Sequence, residues 1–175
     1  MSIKSRIRTI AHYPRPGVQF RDITTLLKDP VGLRITIGEL AAHYTGRRID
    51  RIAAIEARGF IIGAALALQL GTGFVPVRKK GKLPAQTVGR DYALEYGTDR
   101  IEMHADAISP DDHILLIDDL IATGGTAVAA VSLIESMGGK IAGCGFVIDL
   151  PELGGRACLE RMGHKVHTLC SFEGH

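Results

Sequence analysis

A threonine- and glycine-rich turn at residues 122–126 is the part of the chain best suited to hold a ligand. It lies in the run ILLIDDLIATGGTA, between a stretch typical of a buried strand and one typical of a helix. Glycines let successive backbone N–H groups converge, the start of a helix adds partial positive charge, and threonine hydroxyls supply further donors. The pattern predicts that a phosphate monoester is bound by Ala122, Thr123, Gly124, Gly125 and Thr126.

Two familiar nucleotide-binding loops do not fit this turn. A Walker loop ends in Gly-Lys followed by Ser or Thr, and the turn contains no lysine. A dinucleotide-binding loop needs GxGxxG after the first strand, which is absent. The turn is therefore expected to bind phosphate through backbone amides and hydroxyls alone.

Two adjacent aspartates, Asp118 and Asp119, precede the turn. Neighbouring strand residues point to opposite faces, so at most one of them would face a buried layer, where an unpaired carboxylate is costly. A helix-capping role fits poorly, because the glycine turn separates them from the helix. Carboxylates accept hydrogen bonds from paired hydroxyls such as those of a ribose, and they favour positive charge on a sugar ring. The aspartates therefore predict a sugar next to the phosphate.

The run ILLIDDLIATGGTA closely resembles the phosphoribosyl pyrophosphate signature of the type I phosphoribosyltransferases. Four further blocks resemble the members of that family that act on adenine: PGVQFRDIT, EARGF at 56–60, RKKGKLP at 78–84 and YALEYG at 92–97. The resemblance covers nearly the whole chain. It implies a pentosyltransferase of purine salvage that makes AMP and pyrophosphate from adenine and phosphoribosyl pyrophosphate. It also implies Mg²⁺ as cofactor, carried by the substrate, and a homodimer.

Roles at the sugar and pyrophosphate end are implied by this resemblance. Asp118 and Asp119 would bind the ribose hydroxyls, directly or through Mg²⁺ and water. Arg58 and Gly59 would follow a strand, with the peptide bond before Arg58 in the cis form and backbone N–H groups aimed at pyrophosphate. A basic cluster would also contact pyrophosphate, in part from the neighbouring subunit. Its substrate-binding members are Arg78, Lys79 and Lys82. Without the other motifs, these residues would be interpreted as solvent-exposed.

Roles at the base end follow from the same resemblance. Glu95 would reach N7 of adenine and act as the acid partner while N9 attacks the sugar, with Tyr96 beside it among the substrate-binding residues. Phe20 could stack on the base, and the backbone at Arg21 would read its amino edge. Gln19 stands where the family usually has a small or branched apolar residue, which leaves the exact base contacts open. Core packing of Phe20 and a surface position of Glu95 are the competing interpretations.

Two other functions fit parts of the sequence. A transferase for guanine, hypoxanthine or xanthine would share the DD…TGGT region, although it would not be expected to carry YALEYG. A regulator that binds phosphoribosyl pyrophosphate without catalysis would need a DNA-binding module or a basic face, and a single domain of 175 residues leaves no room for the former.

Strand and helix patterns alternate along the chain and position these residues. Strands are predicted at 51–55, 73–78, 114–117, 141–150 and 166–169, and helices from Asp29-Pro30, over 60–70, over 127–134 and around Leu159 and Met162. This alternation predicts an α/β fold with a mostly parallel twisted sheet and helices on both faces. Ligands of such sheets bind beyond the carboxyl ends of the strands.

The chain is interpreted as one domain, 1–175, with two accessory parts. Residues 1–30 would form a small N-terminal hood over the base. Residues 79–104 are polar and spaced by glycines, which predicts an irregular insertion that acts as a flexible lid. A surface hairpin without a role is the alternative for this segment.

Composition excludes several other classes. The net charge is +2, and no basic tract alternates with aromatic residues, so a nucleic-acid partner is not expected. No apolar run long enough to span a membrane and no leader is recognised. Cys144, Cys158 and Cys170 form no CxxC pair and are interpreted as reduced thiols of a cytoplasmic protein. The seven histidines supply no metal-binding set.

Overall fold

The computed structural model describes residues 2–94 and 96–174. In chain order the elements are β1 (Arg8–Ala11), β2 (Gln19–Asp22), α1 (Thr24–Leu27), α2 (Pro30–Tyr44), β3 (Arg51–Ile55), α3 (Arg58–Leu70), β4 (Gly73–Lys79), β5 (Thr87–Ala93), β6 (Thr98–His104), β7 (His113–Ile121), α4 (Gly125–Ser136), β8 (Lys140–Asp149), α5 (Gly155–Arg161) and β9 (Val166–Ser171). Short 3-10 turns cover Lys4–Arg6 and Pro151–Leu153. Among these helices, none is long and apolar enough to cross a membrane.

A seven-stranded sheet carries the fold, in the order β5-β6-β4-β3-β7-β8-β9. Strands β4, β3, β7, β8 and β9 run parallel to one another, whereas β6, at one edge, pairs antiparallel with both β4 and β5. The expected mostly parallel sheet is thereby confirmed. Strands β1 and β2 form a separate two-stranded antiparallel sheet.

Both faces of the sheet are buried, as the continuous apolar strands predict. Along β7, Ile114 and Leu116 pack into a cluster with α4 and α5, whereas Leu115 and Ile117 pack into a second cluster with α2 and α3. The second cluster also includes the base of the N-terminal segment through Ile7. Burial on both sides fixes β7 rigidly, and its carboxyl end carries the two aspartates.

The predicted boundaries are close to the observed ones. Asp29 caps α2 by accepting a bond from the Val31 amide at 3.1 Å, and Pro30 is the first helical residue. Helix α3 begins at Arg58, two residues before the predicted start, since the polar residues ahead of Phe60 hid its first turn. Strand β7 continues through both aspartates to Ile121.

The segment 79–104 is far more regular than predicted. Most of it forms the hairpin of β5 and β6, which extends the main sheet beside β4. Ile101 and Met103 are buried, and Val88 and Tyr92 pack against the same core cluster. This alternation of apolar residues was present in the sequence, although the polar residues between them obscured it.

Candidate active site

The turn at 122–126 forms the junction between β7 and α4. Gly124 adopts a left-handed conformation with φ of +86° and precedes the first helical residue, Gly125, without any side-chain cap. The first amides of a helix lack intrahelical acceptors, so those of α4 are available to an anion. A cavity of about 120 Å³ lies at this helix start and is bordered by Asp118 and by the whole predicted phosphate loop.

Gly155, which the sequence analysis missed, supports this loop from behind. Its amide donates to the Ala122 carbonyl at 2.9 Å. A Cβ atom at Gly124 would lie 2.8 Å from the Cα of Gly155, and a Cβ atom at Gly155 would lie 2.5 Å from the Ala122 carbonyl oxygen. The two backbones therefore touch, and only glycine fits at both positions.

The two aspartates have different surroundings. Asp119 is buried and accepts a hydrogen bond from Nε of Arg58 at 2.5 Å. Asp118 accepts from the Asp119 amide at 2.8 Å and borders the phosphate cavity. Burial, followed by the charge of Asp119, raises the pKa of the Asp118 carboxyl well above its usual range. A carboxylate that lacks a cation of its own is suited to a ligand that brings hydroxyls or positive charge.

Gly59 allows α3 to approach β7 closely. A Cβ atom there would lie 2.7 Å from Oδ1 of Asp118. The structure therefore brings Arg58, Gly59 and both aspartates together, as predicted. The non-proline cis peptide bond is Glu56–Ala57, one bond earlier than the expected bond before Arg58. The expected position was wrong, although the bond lies in the same turn between β3 and α3.

A second cavity, of about 290 Å³, lies between the turn that follows β3 and the hairpin of β5 and β6. It is bordered by Asp118 and Thr126 on one side and by Arg78, Lys79 and Tyr92 on the other. The two cavities thus adjoin at Asp118 and Thr126.

Cations in the second cavity are already paired with carboxylates. Arg78 donates to Oε2 of Glu56 at 3.2 Å, and the Lys79 amide also donates to the Glu56 carboxylate. The Lys79 ammonium lies 3.1 Å from Asp99, and this hydrogen bond raises the pKa of Lys79. Glu56 and Asp99 were missed in the sequence analysis, where only the basic members of the cluster were recognised. The EARGF block contains Glu56, so the signal was available.

Among the described residues that were predicted for these sites, five do not border the first two cavities: Arg58, Gly59, Lys82, Tyr96 and Asp119. The side chain of Lys82 is exposed, and its backbone carbonyl accepts from Arg78 at 3.2 Å. Tyr96 is 80% exposed at the tip of the hairpin, although the nearby Leu94 borders the second cavity. Glu95 lies outside the described residues.

A third cavity, of about 490 Å³, lies under the N-terminal segment and is the most apolar of the three. Phe20 and Arg21 border it on one side, and Leu120, Leu150 and Leu153 on the others. Phe20 packs edge-on against Tyr13, with ring centroids 5.2 Å apart, and the Arg58 guanidinium lies 5.9 Å from its ring centroid. The sequence analysis did not anticipate the three leucines, which come from two separate strand ends.

The third cavity shares Leu120, Ala122 and Thr123 with the phosphate cavity. A flat apolar group in the larger cavity and a phosphate in the smaller one would therefore meet at Leu120, Ala122 and Thr123. An apolar site that adjoins an anion site in this way has the polarity that a nucleoside monophosphate requires.

Known proteins resemble this chain along its whole length. Residues 28–157 match the family model of the phosphoribosyl transferase domain. The adenine phosphoribosyltransferase of Nitrosospira multiformis is 69% identical over 99% of both chains. The crystal structure of adenine phosphoribosyltransferase from Thermoanaerobacter pseudethanolicus is 48% identical, covers 97% of this chain and 98% of its own, and gives a TM-score of 0.93. The Saccharomyces cerevisiae enzyme, complexed with an imino-altritol bisphosphate and adenine, is 35% identical over 96% of both chains, with a TM-score of 0.89.

Proposed function

Because the chain belongs to the adenine phosphoribosyltransferases of the phosphoribosyl transferase domain family, we propose how its three cavities divide the substrates. The enzyme is a pentosyltransferase of purine salvage, which makes AMP and pyrophosphate from adenine and phosphoribosyl pyrophosphate. In our proposal, adenine occupies the cavity under Phe20, the 5′-phosphate occupies the loop 122–126, and pyrophosphate leaves through the cavity beneath the hairpin.

One observation carries this assignment: the base and phosphate cavities share Leu120, Ala122 and Thr123. The distance between base and 5′-phosphate in AMP is fixed by the ribose, so the two sites must adjoin. Phe20 supplies an aromatic ring for stacking, and Leu120 and Leu153 supply apolar contacts. The yeast relative, which was crystallised with adenine and a bisphosphate, supports the proposal of an apolar base site next to an anion site.

Asp118 and Asp119 are proposed to bind the ribose hydroxyls beside the phosphate cavity, which Asp118 borders. As the bond from the anomeric carbon to pyrophosphate breaks, positive charge develops on the sugar ring, and fixed carboxylates stabilise it. The electron pair of that bond leaves with pyrophosphate, N9 of adenine supplies the pair for the new bond, and the proton that the imidazole ring of adenine loses passes to solvent. We assign Arg58, Arg78 and Lys79 to the anionic leaving group, and Gly59 would let the turn before α3 approach it.

We propose Mg²⁺ as the cofactor, held mainly by substrate oxygens. Among residues 2–94 and 96–174, no three side chains of the histidine, cysteine, aspartate or glutamate type converge on a metal position. The carboxylate of Asp118 is an oxygen donor at the border of the phosphate cavity, which suits an ion that arrives on pyrophosphate and keeps its waters. When bound, Mg²⁺ would neutralise charge on the leaving group.

We propose a purine-specificity experiment as the direct test of activity. With Mg²⁺ and phosphoribosyl pyrophosphate, adenine should be converted to nucleotide at least about a hundredfold faster than guanine, hypoxanthine or xanthine. Chromatography of the products measures this. Conversion of guanine without conversion of adenine would contradict the assignment, and tight binding of phosphoribosyl pyrophosphate without any turnover would indicate a regulator.

Glu95 and the hairpin are proposed to act on the base as a lid. Leu94, which precedes Glu95 in the chain, borders the cavity assigned to pyrophosphate, so closure of the hairpin would be needed to bring this part of the lid to the base. Glu95→Gln is expected to lower kcat by about a hundredfold and to change the affinity for phosphoribosyl pyrophosphate less than about threefold. The carboxyl group of Glu95 is proposed to act on adenine and not on phosphoribosyl pyrophosphate. Single-turnover kinetics and equilibrium binding measure the two effects.

A matched control for Glu95 is Asp91→Asn, which neutralises an exposed carboxylate on the same hairpin. It should leave kcat within about twofold of the wild-type value. Equal losses of kcat and donor affinity in Glu95→Gln would count against a role at the base.

A homodimer is proposed from the outer face of α3. Ile61 and Leu68, seven residues apart and therefore on one side of the helix, are 49% and 86% exposed. Exposed apolar side chains on one face are typical of a protein interface. Sedimentation velocity at micromolar protein should give a dimer, and a monomer would reject the proposal.

The cytoplasm is the proposed compartment. Cys144, Cys158 and Cys170 are free thiols, and free thiols persist in reducing compartments. Fractionation of the source cells would test this placement.

A further inference from the structure

The last described residues fold back onto the N-terminal segment. Nη2 of Arg21 donates to the backbone carbonyls of Glu173 and Gly174, at 3.0 and 3.2 Å. Nη1 of the same guanidinium donates to Oγ1 of Thr9 on the adjacent strand β1 at 2.6 Å. Arg21 therefore ties the β1–β2 sheet to the C-terminal end of the chain.

Phe172 completes this contact. The Arg21 guanidinium carbon lies 4.6 Å from the centroid of its ring, and the Lys4 ammonium lies 4.8 Å from the same centroid. Two cations from the N-terminal segment thus lie against one aromatic ring of the tail, which is a favourable arrangement.

The tail is also bonded to the opposite wall of the apolar cavity. The Phe172 amide donates to the Asp149 carbonyl at 3.0 Å, and the Gly174 amide donates to the Glu152 carboxylate at 3.2 Å. Leu150 lies between Asp149 and Glu152 in the chain, and Leu153 directly follows Glu152. Both leucines border the cavity opposite Phe20. Residues 172–174, here called the tail clasp, therefore connect both walls of that cavity.

We infer that the tail clasp sets the width of the base cavity, and that Phe172 and the side chain of Arg21 are positioning residues for adenine. Within the described part of the chain, the β1–β2 sheet has no backbone ladder to the main sheet. Its base is packed through Ile7 and Ile23, whereas Phe20 lies further out, beside Arg21. The clasp holds that outer part, so the stacking distance across the base depends on it. This inference rests on the proposed binding of adenine under Phe20.

The experiment compares steady-state kinetics of Phe172→Ala with those of the wild-type enzyme. We expect KM for adenine to rise about tenfold, with KM for phosphoribosyl pyrophosphate and kcat within about twofold. Phe172→Tyr, which keeps the ring, should restore the wild-type KM. Glu173→Ala is the matched control in the tail, because Glu173 contributes its backbone carbonyl to the clasp and keeps it after substitution.

Hydrogen exchange supplies a readout that does not depend on turnover. Amides of residues 19–21 should exchange faster in Phe172→Ala, while amides in β3 and β7 should be unchanged. The double variant with Arg21→Ala and Phe172→Ala should have the same KM for adenine as Arg21→Ala alone. The reason is that each substitution by itself already removes the contact between Arg21 and Phe172.

Two results would overturn the inference. One is an unchanged KM for adenine in Phe172→Ala, and the other is an equal rise in the KM values of both substrates, which would indicate general loosening of the fold. Phe20→Ala separates this failure from failure of the base site itself. If Phe20→Ala leaves KM for adenine unchanged, adenine does not bind under Phe20. If Phe20→Ala raises KM for adenine and Phe172→Ala does not, only the clasp is rejected.

Discussion

Replacing Asp118 and Asp119 together by asparagine is expected to lower kcat/KM for phosphoribosyl pyrophosphate by about three orders of magnitude. Asparagine keeps the shape of each side chain and removes the negative charge that would stabilise a cationic sugar. The loss should fall mainly on kcat, because charge develops on the ring only as the leaving group departs. Rates of AMP formation at saturating adenine measure the effect.

The matched control uses a second pair of adjacent aspartates on the opposite end of the same strand. Asp111 and Asp112 precede β7, where Asp111 pairs with Lys140 and Asp112 accepts from the Ser109 amide. Changing both to asparagine removes the same charge far from the cavities and should keep kcat within about twofold of the wild-type value. Near-normal turnover of the Asp118 and Asp119 double variant would refute their role at the sugar.

Although removing the charge of Asp118 should lower activity, it should raise the stability of the folded protein. Burial and the charge of Asp119 raise its pKa in the folded protein, so the folded state binds a proton more readily than the unfolded chain does. Its contribution to the free energy of unfolding is greatest below the unfolded-state pKa and is lost as pH rises through the folded-state pKa. Asp118→Asn cannot ionise, so we expect it to raise the melting temperature more at about pH 8 than at about pH 4.

The second large effect is expected for Gly124→Ala in the phosphate loop. Its Cβ atom would meet the Cα of Gly155 at 2.8 Å, backbone against backbone, and its φ is +86°. The loop must shift to admit the methyl group, which moves the amides that are proposed to bind the 5′-phosphate. We expect KM for phosphoribosyl pyrophosphate to rise about a hundredfold, with a smaller loss of stability. Steady-state kinetics and thermal melting measure the two.

Gly163→Ala is the control that distinguishes the steric clash at Gly124 from the strain of its left-handed backbone. Gly163 has a similar φ of +90°, and a Cβ atom there would meet nothing within 4 Å. Both variants should lose comparable stability from the left-handed conformation, and only Gly124→Ala should lose affinity for the donor. If both bind phosphoribosyl pyrophosphate as the wild-type enzyme does, the loop 122–126 is not the phosphate site.

Features that depend on a short stretch of sequence were predictable. The buried strand ILLI, the two aspartates and the glycine turn are consecutive, and strand alternation and helix starts obey local rules. The parallel arrangement followed from the alternation of strands and helices. For the same reason Arg58, Gly59 and the aspartates were expected at one edge of the sheet, where they are found.

Features that depend on contacts between distant segments were not predictable. Gly155 touches Gly124 across 31 positions of sequence, and nothing near Gly155 in the chain indicates that contact. The pairing of Lys79 with Asp99 requires the hairpin to lie against β4. The bonds between the tail and Arg21 span more than 150 residues, and no local pattern indicates them.

The three cations that are proposed to bind pyrophosphate are each paired with a carboxylate: Arg58 with Asp119, Arg78 with Glu56 and Lys79 with Asp99. A small anion that bound any one of these cations would leave a carboxylate unpaired, whereas the complete donor, in the proposed binding mode, would bring hydroxyls and Mg²⁺ to that carboxylate. Binding of the donor would then exchange one set of ion-pair partners for another, which would disfavour incomplete fragments of the donor. Inorganic phosphate, abundant in cells, should therefore be a poor competitor for this site.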